Sequence, residues 1–350
     1  MSFIGHYKSK TKALGLLVSI WVTTFSIPLL AIPSELAKQA ESLQKEPQGD
    51  QKALDFLWKN SEKLQRGDLI FLCKLLVKKK AWKEILKASE LALAKNPQDA
   101  EFLTFQGKSY MEIGKDKKNQ EKAQESLRSA IEANPKFEPP YWILDEYYAG
   151  LDLVAKANKK PMRFFQTRRL LFEDLIEKVG EKPEFLARLC EINTRDGLNE
   201  AALKQCKRAL QLDKKDIKTQ IYLAQVYKQS GQKAEALTLL ESSLKENPRS
   251  TDILLALGNQ FEEDKNAARA YSSFKECLGY SPENEDCLRG LGATACSLRK
   301  FQEGYNTFQK LCKKDRKWSL DVRKAANAAK EIGDLDWQQK FLELSLNCNI

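Results

Sequence analysis

Eight cysteines and a single histidine bound the chemistry open to this 350-residue chain. The histidine is His6, so past the first few residues no imidazole exists to act as general base or metal ligand. A cysteine or serine nucleophile therefore lacks its usual activator. No CxxC spacing occurs, which removes the sequence signal for zinc or thioredoxin-type chemistry. Carboxylates do come in pairs, as Glu262-Glu263 and Glu181 with Glu184. In a chain with 30% charged residues such pairs read as solubilising surface charge. Neither a P-loop nor a GxGxxG segment is present. The expectation is a protein without catalytic site, metal or cofactor, whose cysteines either pack as small apolar residues or form disulfides.

The elements that position these residues are set by a repeat. Residues 241–261 read ESSLKENPRSTDILLALGNQF, and residues 275–295 read KECLGYSPENEDCLRGLGATA. Leu244 matches Leu278, Pro248 matches Pro282 and Gly258 matches Gly292, each pair 34 residues apart. A period in this range marks a stacked-repeat architecture. Blocks begin at Pro183, Ile217, Thr251, Glu285 and Ser319. Each opens with a helix carrying a large residue beside a small one, as Leu189-Cys190, Leu223-Ala224, Leu257-Gly258, Leu291-Gly292 and Ala325-Ala326. Small residues at that site let two helix axes come close. The second helix carries a small residue, a bulky one and then a small-plus-Leu pair, as Ala270, Phe274 and Cys277-Leu278. That spacing is a stripe that buries against the partner helix and the next block.

This series resembles the tetratricopeptide repeat, with its large-small-aromatic first helix, its Ala-Phe-Ala second helix and its closing Pro. The resemblance implies an all-α solenoid, an α-α superhelix of stacked helix pairs. Residues 183–350 supply five regular repeats of 34-residue period. Residues 66–182 supply three more, with Trp82 and Pro97 in one and Gly107, Tyr110 and Pro135 in the next. Insertions are needed in the turns GKDKKNQ and AGLDLVAKANKKP, which a solenoid tolerates because each repeat touches only its neighbours. Residues 34–65 are degenerate and offer one packing helix, a cap or a half-eroded repeat.

Residues 1–33 differ in kind. Lys8, Lys10 and Lys12 precede a stretch of about 20 residues without a charge, the layout of an export signal. The length also suits an uncleaved membrane anchor. Either version places the repeats outside the cytoplasm. The expectation is thus an N-terminal signal peptide or membrane anchor and a periplasmic or otherwise extracytoplasmic location. Lys+Arg 58 against Asp+Glu 48 gives a net charge of +10, or +7 once those three lysines are removed. So small an excess reads as a solvated helical surface, and nucleic acid is not an expected partner.

Most cysteines occupy sites where the repeat wants a small residue, as Cys73, Cys190, Cys277 and Cys312. Cys287 begins a first helix, and Cys277 and Cys312 end the second helices on either side of it. Cys277–Cys287 and Cys287–Cys312 are both conceivable bridges, given Cα atoms within about 7 Å.

In the tetratricopeptide family the first helices line a concave groove that holds a peptide or a partner helix. By register the resemblance places Ile70, Phe71 and Lys74, then Thr104, Phe105 and Lys108, then Trp142 and Glu146 on that face. Further along come Ala187, Arg188 and Glu191, Ile221, Tyr222 and Gln225, Leu255, Asn259 and Glu262, Arg289 and Ala293, and lastly Arg323 with Asn327. The N-terminal half of this face is apolar and aromatic, with Phe105 and Trp142 as its largest anchors. The C-terminal half is polar. Such a face suits an amphipathic segment. The expected function is a non-enzymatic adaptor of the bacterial cell envelope serving a pilus, gliding-motility or outer-membrane assembly machine. Its partners would be envelope proteins, with membrane contact only through residues 1–33. A periplasmic chaperone for client peptides is the alternative, and an envelope enzyme with an unrecognised site is the rival from another class.

Overall fold

The computed structural model describes residues 34–114, 116–158, 160–161 and 163–348. The export or anchor segment expected at 1–33 lies outside them. Among the described residues there are eighteen α-helices, joined by short turns and two three-residue 3-10 segments, and no strand. The repeat Thr251–Tyr280 shows why these residues fold this way. Ser250 caps the first helix by accepting the Ile253 N–H, and Ile253, Leu254, Leu257, Gly258 and Phe261 form its buried stripe. The helix ends at Asp264 and Lys265, the latter in the left-handed region at φ 58°. Asn266 then caps the second helix, whose buried face is Ala270, Ser273, Phe274 and Cys277. Pro282 follows that helix and cannot continue it.

The chain divides after Gly180 into two compact units. The first contains α1 (Glu35–Gln44), α2 (Gly49–Lys59), α3 (Arg66–Lys78), α4 (Trp82–Leu93), α5 (Ala100–Ile113), α6 (Lys117–Ala133), α7 (Pro139–Ala157) and α8 (Phe165–Val179). The degenerate segment 34–65 holds two helices rather than one, and α1 packs on both α2 and α3. The extra residues found in the sequence lengthen α6 and α7, and the rest widen the α7–α8 turn, residues 158–164. α6 runs for 17 residues where the second helices α10, α12, α14 and α16 have 14, and α7 for 19 where the other first helices from α3 onward have 13 or 14. A buried ion pair ties α7 to α8, with Arg168 Nε 2.7 Å from Asp145 Oδ1.

The second unit contains α9 (Pro183–Asp196), α10 (Asn199–Leu212), α11 (Ile217–Gln229), α12 (Lys233–Glu246), α13 (Thr251–Glu263), α14 (Ala267–Tyr280), α15 (Glu285–Ser297), α16 (Phe301–Lys314), α17 (Ser319–Glu331) and α18 (Leu335–Leu346). Successive first helices touch, α9 with α11, α11 with α13, α13 with α15 and α15 with α17. The first-helix side is therefore the tighter, inner side of this unit.

Three cysteine pairs are bonded here. Cys190–Cys206 joins the two helices of one repeat with Cα atoms 4.9 Å apart. Cys277–Cys287 links a second helix to the following first helix at 6.3 Å. Cys312 bonds to Cys348, at 4.4 Å, and not to Cys287. Its 36-residue separation from Cys348 is close to one repeat, so the bridge ties the end of α16 to the turn just after α18. Cys190, expected as a small core residue, is thus a bridge as well. Cys73 and Cys296 are free and buried, and burial pushes both thiols up, that of Cys296 to about 12.

Candidate functional site: the first-helix face

In the first unit the expected apolar groove is largely filled. Six consecutive residues of α5, Ala100 to Phe105, are buried, more than a full turn, so no side of the helix is open at that level. Phe105 is 4% exposed and belongs to the core with Ile85, Phe102 and Leu72. Ile70 is in the same core at 8%, and Thr104 is buried with its hydroxyl donating to the Ala100 carbonyl. Phe105 and Ile70 are therefore core residues and not groove anchors. Helices α4 and α6 flank α5, and α7 closes on it as well, so the face left open in an isolated repeat is covered by its neighbours.

The remaining positions of this unit are half-buried. Phe71 packs on the same core, and Lys108 pairs with Glu112 one turn on at 2.8 Å. Trp142 stands edge-on to the buried ring of Phe172 in its own second helix, with centroids 4.7 Å apart, so much of it serves the pair α7–α8. Glu146 lies one turn further along α7. Tyr141 and Tyr148 are interior, Tyr141 donating its hydroxyl to Asp174 at 2.8 Å.

In the second unit the polar half of the face is drawn together into two clusters. Arg188, Glu191 and Arg195 lie on one stripe of α9 by their spacing of three and four. Glu191 takes an ion pair from Arg188 and another from Arg195 Nε at 3.0 Å. Across to α11, Arg195 Nη2 donates to Tyr222 Oη at 3.3 Å. Burial opposes the Glu191 charge, but the two guanidinium groups outweigh it and hold the carboxyl below its usual range. Burial and the nearby Glu191 charge hold the Tyr222 phenol above its own. Two repeats further, Arg289 of α15 donates to Asn259 Oδ1 of α13 at 3.2 Å and meets Glu262 Oε2 at 3.3 Å. Arg323 and Asn327 are exposed on α17. Arg195 was not among the expected groove residues, although its place four residues after Glu191 on a helical face was the signal that could have found it.

These clusters offer fixed guanidinium, carboxylate, amide and phenol groups on a rigid helical face, suited to the polar main chain and side chains of another protein segment. Among the described residues, no group of three or more His, Cys, Asp or Glu is placed to hold a metal ion. No helix among them is long and apolar enough to cross a membrane.

Tetratricopeptide-repeat family models match residues 103–137 and 194–259, one stretch in each unit. No curated protein matches the chain in sequence. Among solved structures, a tetratricopeptide repeat protein from Parabacteroides merdae ATCC 43184 aligns over 80% of this chain and 98% of its own, with TM-score 0.57 and 16% identity, a likeness of fold. PilW, described as a widely conserved type IV pilus biogenesis factor, aligns over 63% of this chain and 94% of its own, at TM-score 0.47 and 18% identity. YrrB, described as a TPR protein with an unusual peptide-binding site, aligns over 58% and 97%, at TM-score 0.42 and 16% identity. Helix pairs at a 34-residue period, close packing at the small first-helix sites and repeat matches in both units lead to one assignment: the chain is a tetratricopeptide-repeat protein.

Proposed function

We propose that this protein is a non-catalytic adaptor of the bacterial cell envelope that holds a segment of a partner protein on the first-helix face of its second unit. As a tetratricopeptide-repeat protein it is a protein-interaction scaffold, and the finer reading rests on one observation. Asn259, Glu262 and Arg289 are half-buried on successive first helices, and Arg289 bonds both of the others, which fixes their geometry before any partner arrives. The expected groove anchors of the first unit, by contrast, are engaged in its core. The envelope location is supported by the apolar segment at 1–33 and by three bonded cysteine pairs, which persist in an oxidising compartment.

A photo-crosslinking residue in place of Gln225 or Ala293, beside the two clusters, tests this in intact cells, with mass spectrometry of the adducts. A single stoichiometric envelope protein is the expected product. A broad set of unfolded chains would favour a chaperone, and adducts with cytoplasmic proteins alone would overturn the envelope location.

A further inference from the structure

In a stack of antiparallel helix pairs, every turn from first to second helix emerges at one edge and every return turn at the other. In the second unit that edge pairs base with acid between the α11–α12 and α13–α14 turns, while the α15–α16 turn carries only Arg299 and Lys300. Lys228 pairs with Glu263 at 2.9 Å and Lys233 with Asp264 at 3.0 Å, each across one repeat.

In the first unit the turns from first to second helix are built differently. The α3–α4 turn, residues 78–83, reads KKKAWK, and its four lysines are exposed, followed by a single exposed acid, Glu84. Lys79 spends its ammonium on a neutral acceptor, Gln51 Oε1 at 2.6 Å. The α5–α6 turn adds exposed Lys117 and Lys118. Their neighbour Asp116 is occupied by the backbone and side-chain nitrogens of Asn119, and Glu121 stands 3.6 Å from Lys117. The α7–α8 turn adds exposed Lys160 and Arg163. Asp152 is buried beneath that turn, accepting the backbone N–H groups of Arg163 and Phe164.

Into this basic edge project two aliphatic side chains, Leu153 at 54% and Val154 at 52% exposure. They sit in the extension of α7. Tyr141, Leu144 and Tyr148 keep the register of a normal first helix, so the five or six additional residues fall at the C-terminal end. At 1.5 Å per residue they carry that end about 8 Å further than a 13-residue helix reaches.

An edge with this excess of base over acid fits any polyanion. Exposed aliphatic side chains on a projecting tip, followed by the bases of the α7–α8 turn, fit a surface that has phosphate in front and hydrocarbon behind. We infer that this edge of the first unit docks on an anionic phospholipid bilayer, with the lysines in the headgroup layer and Leu153 and Val154 at the acyl boundary. This contact is independent of the partner-binding face and of the segment at 1–33.

The test compares full-length protein on vesicles of phosphatidylcholine alone and of phosphatidylcholine mixed with phosphatidylglycerol. Any contribution of residues 1–33 is common to wild type and variants and cancels in their ratio. Wild type should prefer the anionic vesicles, and the preference should shrink with added salt. Each basic group at a membrane surface contributes about fivefold. Lys79→Gln with Lys80→Gln and Lys160→Gln should therefore lower the preference about a hundredfold. Leu153→Ser with Val154→Ser should remove the part of binding that resists salt. Lys83→Gln, Lys118→Gln and Arg163→Gln form a second triple with the same expected outcome, should the first fail to fold. An unchanged preference in a folded triple variant overturns the inference. So does wild-type protein that binds heparin but ignores phosphatidylglycerol vesicles, which would assign the edge to a soluble polyanion.

Discussion

The ring of Phe274 lies so close to Gly258 that a β-carbon on the glycine would stand 2.4 Å from Phe274 Cε1. Gly290, on the next first helix, faces the same ring, with its own would-be β-carbon 2.4 Å from Cζ. Phe274 is fully buried and cannot swing aside. One repeat later Gly292 meets Phe308 in the same way at 3.0 Å, which is why glycine and phenylalanine both recur at 34 residues.

Gly258→Ala and Gly290→Ala should each destabilise the second unit by about 1–3 kcal/mol through overpacking. Gly150→Ala, in the helical interior of α7 with nothing within 4 Å, should instead gain up to about 1 kcal/mol. Denaturant unfolding gives the magnitudes, and amide exchange should show lost protection confined to α13, α14, α15 and their neighbours. Equal costs at Gly258 and Gly150 would show that helix propensity, and not the phenylalanine ring, governs these sites.

The bonded cysteines predict a stability that depends on redox state in the second unit alone. Each bridge closes a loop of modest length and contributes about 2–4 kcal/mol. A reductant should lower the unfolding midpoint of the second unit and leave exchange in α3 to α6 unchanged. Peptide mapping without reduction should recover 190–206, 277–287 and 312–348, with Cys73 and Cys296 alkylated only after unfolding. A recovered link from Cys312 to Cys287 would contradict the observed pairing.

Much of this architecture was legible because the sequence repeats its own solution. Leu257-Gly258 and Leu291-Gly292 mark close packing whatever surrounds them, and Pro248 and Pro282 mark helix ends by backbone geometry. The groove was harder to read. Family register placed Phe105 on the open face, yet that placement treats each repeat as isolated, and α5 is enclosed by α4, α6 and α7. Burial set by the packing of whole neighbouring helices leaves no trace in the local period. The lengthening of α6 and α7 was hidden for a related reason. Residues such as GKDKKNQ are polar enough for a turn, but Asp116 caps a helix there by accepting the Asn119 N–H.

That correction changes what a mutation at the expected anchor should do. Phe105→Ala removes a buried ring from the core of the first unit and should cost about 3–5 kcal/mol. Asn259→Ala with Arg289→Ala removes a half-buried polar contact and should cost about 1 kcal/mol. Partner capture should show the reverse order. The double variant should lose it with its thermal melt nearly unchanged, and the first-unit variant should keep it while its second unit stays folded. Capture that survives in the double variant would remove the second-unit face from consideration.

A buried carboxyl stands at the start of α5. Glu101 is 7% exposed, with Oε2 3.1 Å from Arg66 Nη2 and no hydrogen-bond partner for Oε1. Burial raises its pKa above the usual carboxylate range, against the pull of Arg66 and Lys74. A carboxyl whose folded pKa exceeds its unfolded one binds its proton more readily when folded. Its contribution to stability is therefore full below the unfolded pKa, about 4.3, and is lost as pH rises through the folded value. Glu101→Gln keeps an acceptor for Arg66 and never takes on the buried charge. The variant should melt a few degrees above wild type at neutral pH, and the gap should close as pH falls toward that of an ordinary carboxylate. Melting curves of both proteins across that range decide it. A gap that widens toward acid would mean that the Arg66 ion pair outweighs burial and that the charged form is the favoured one.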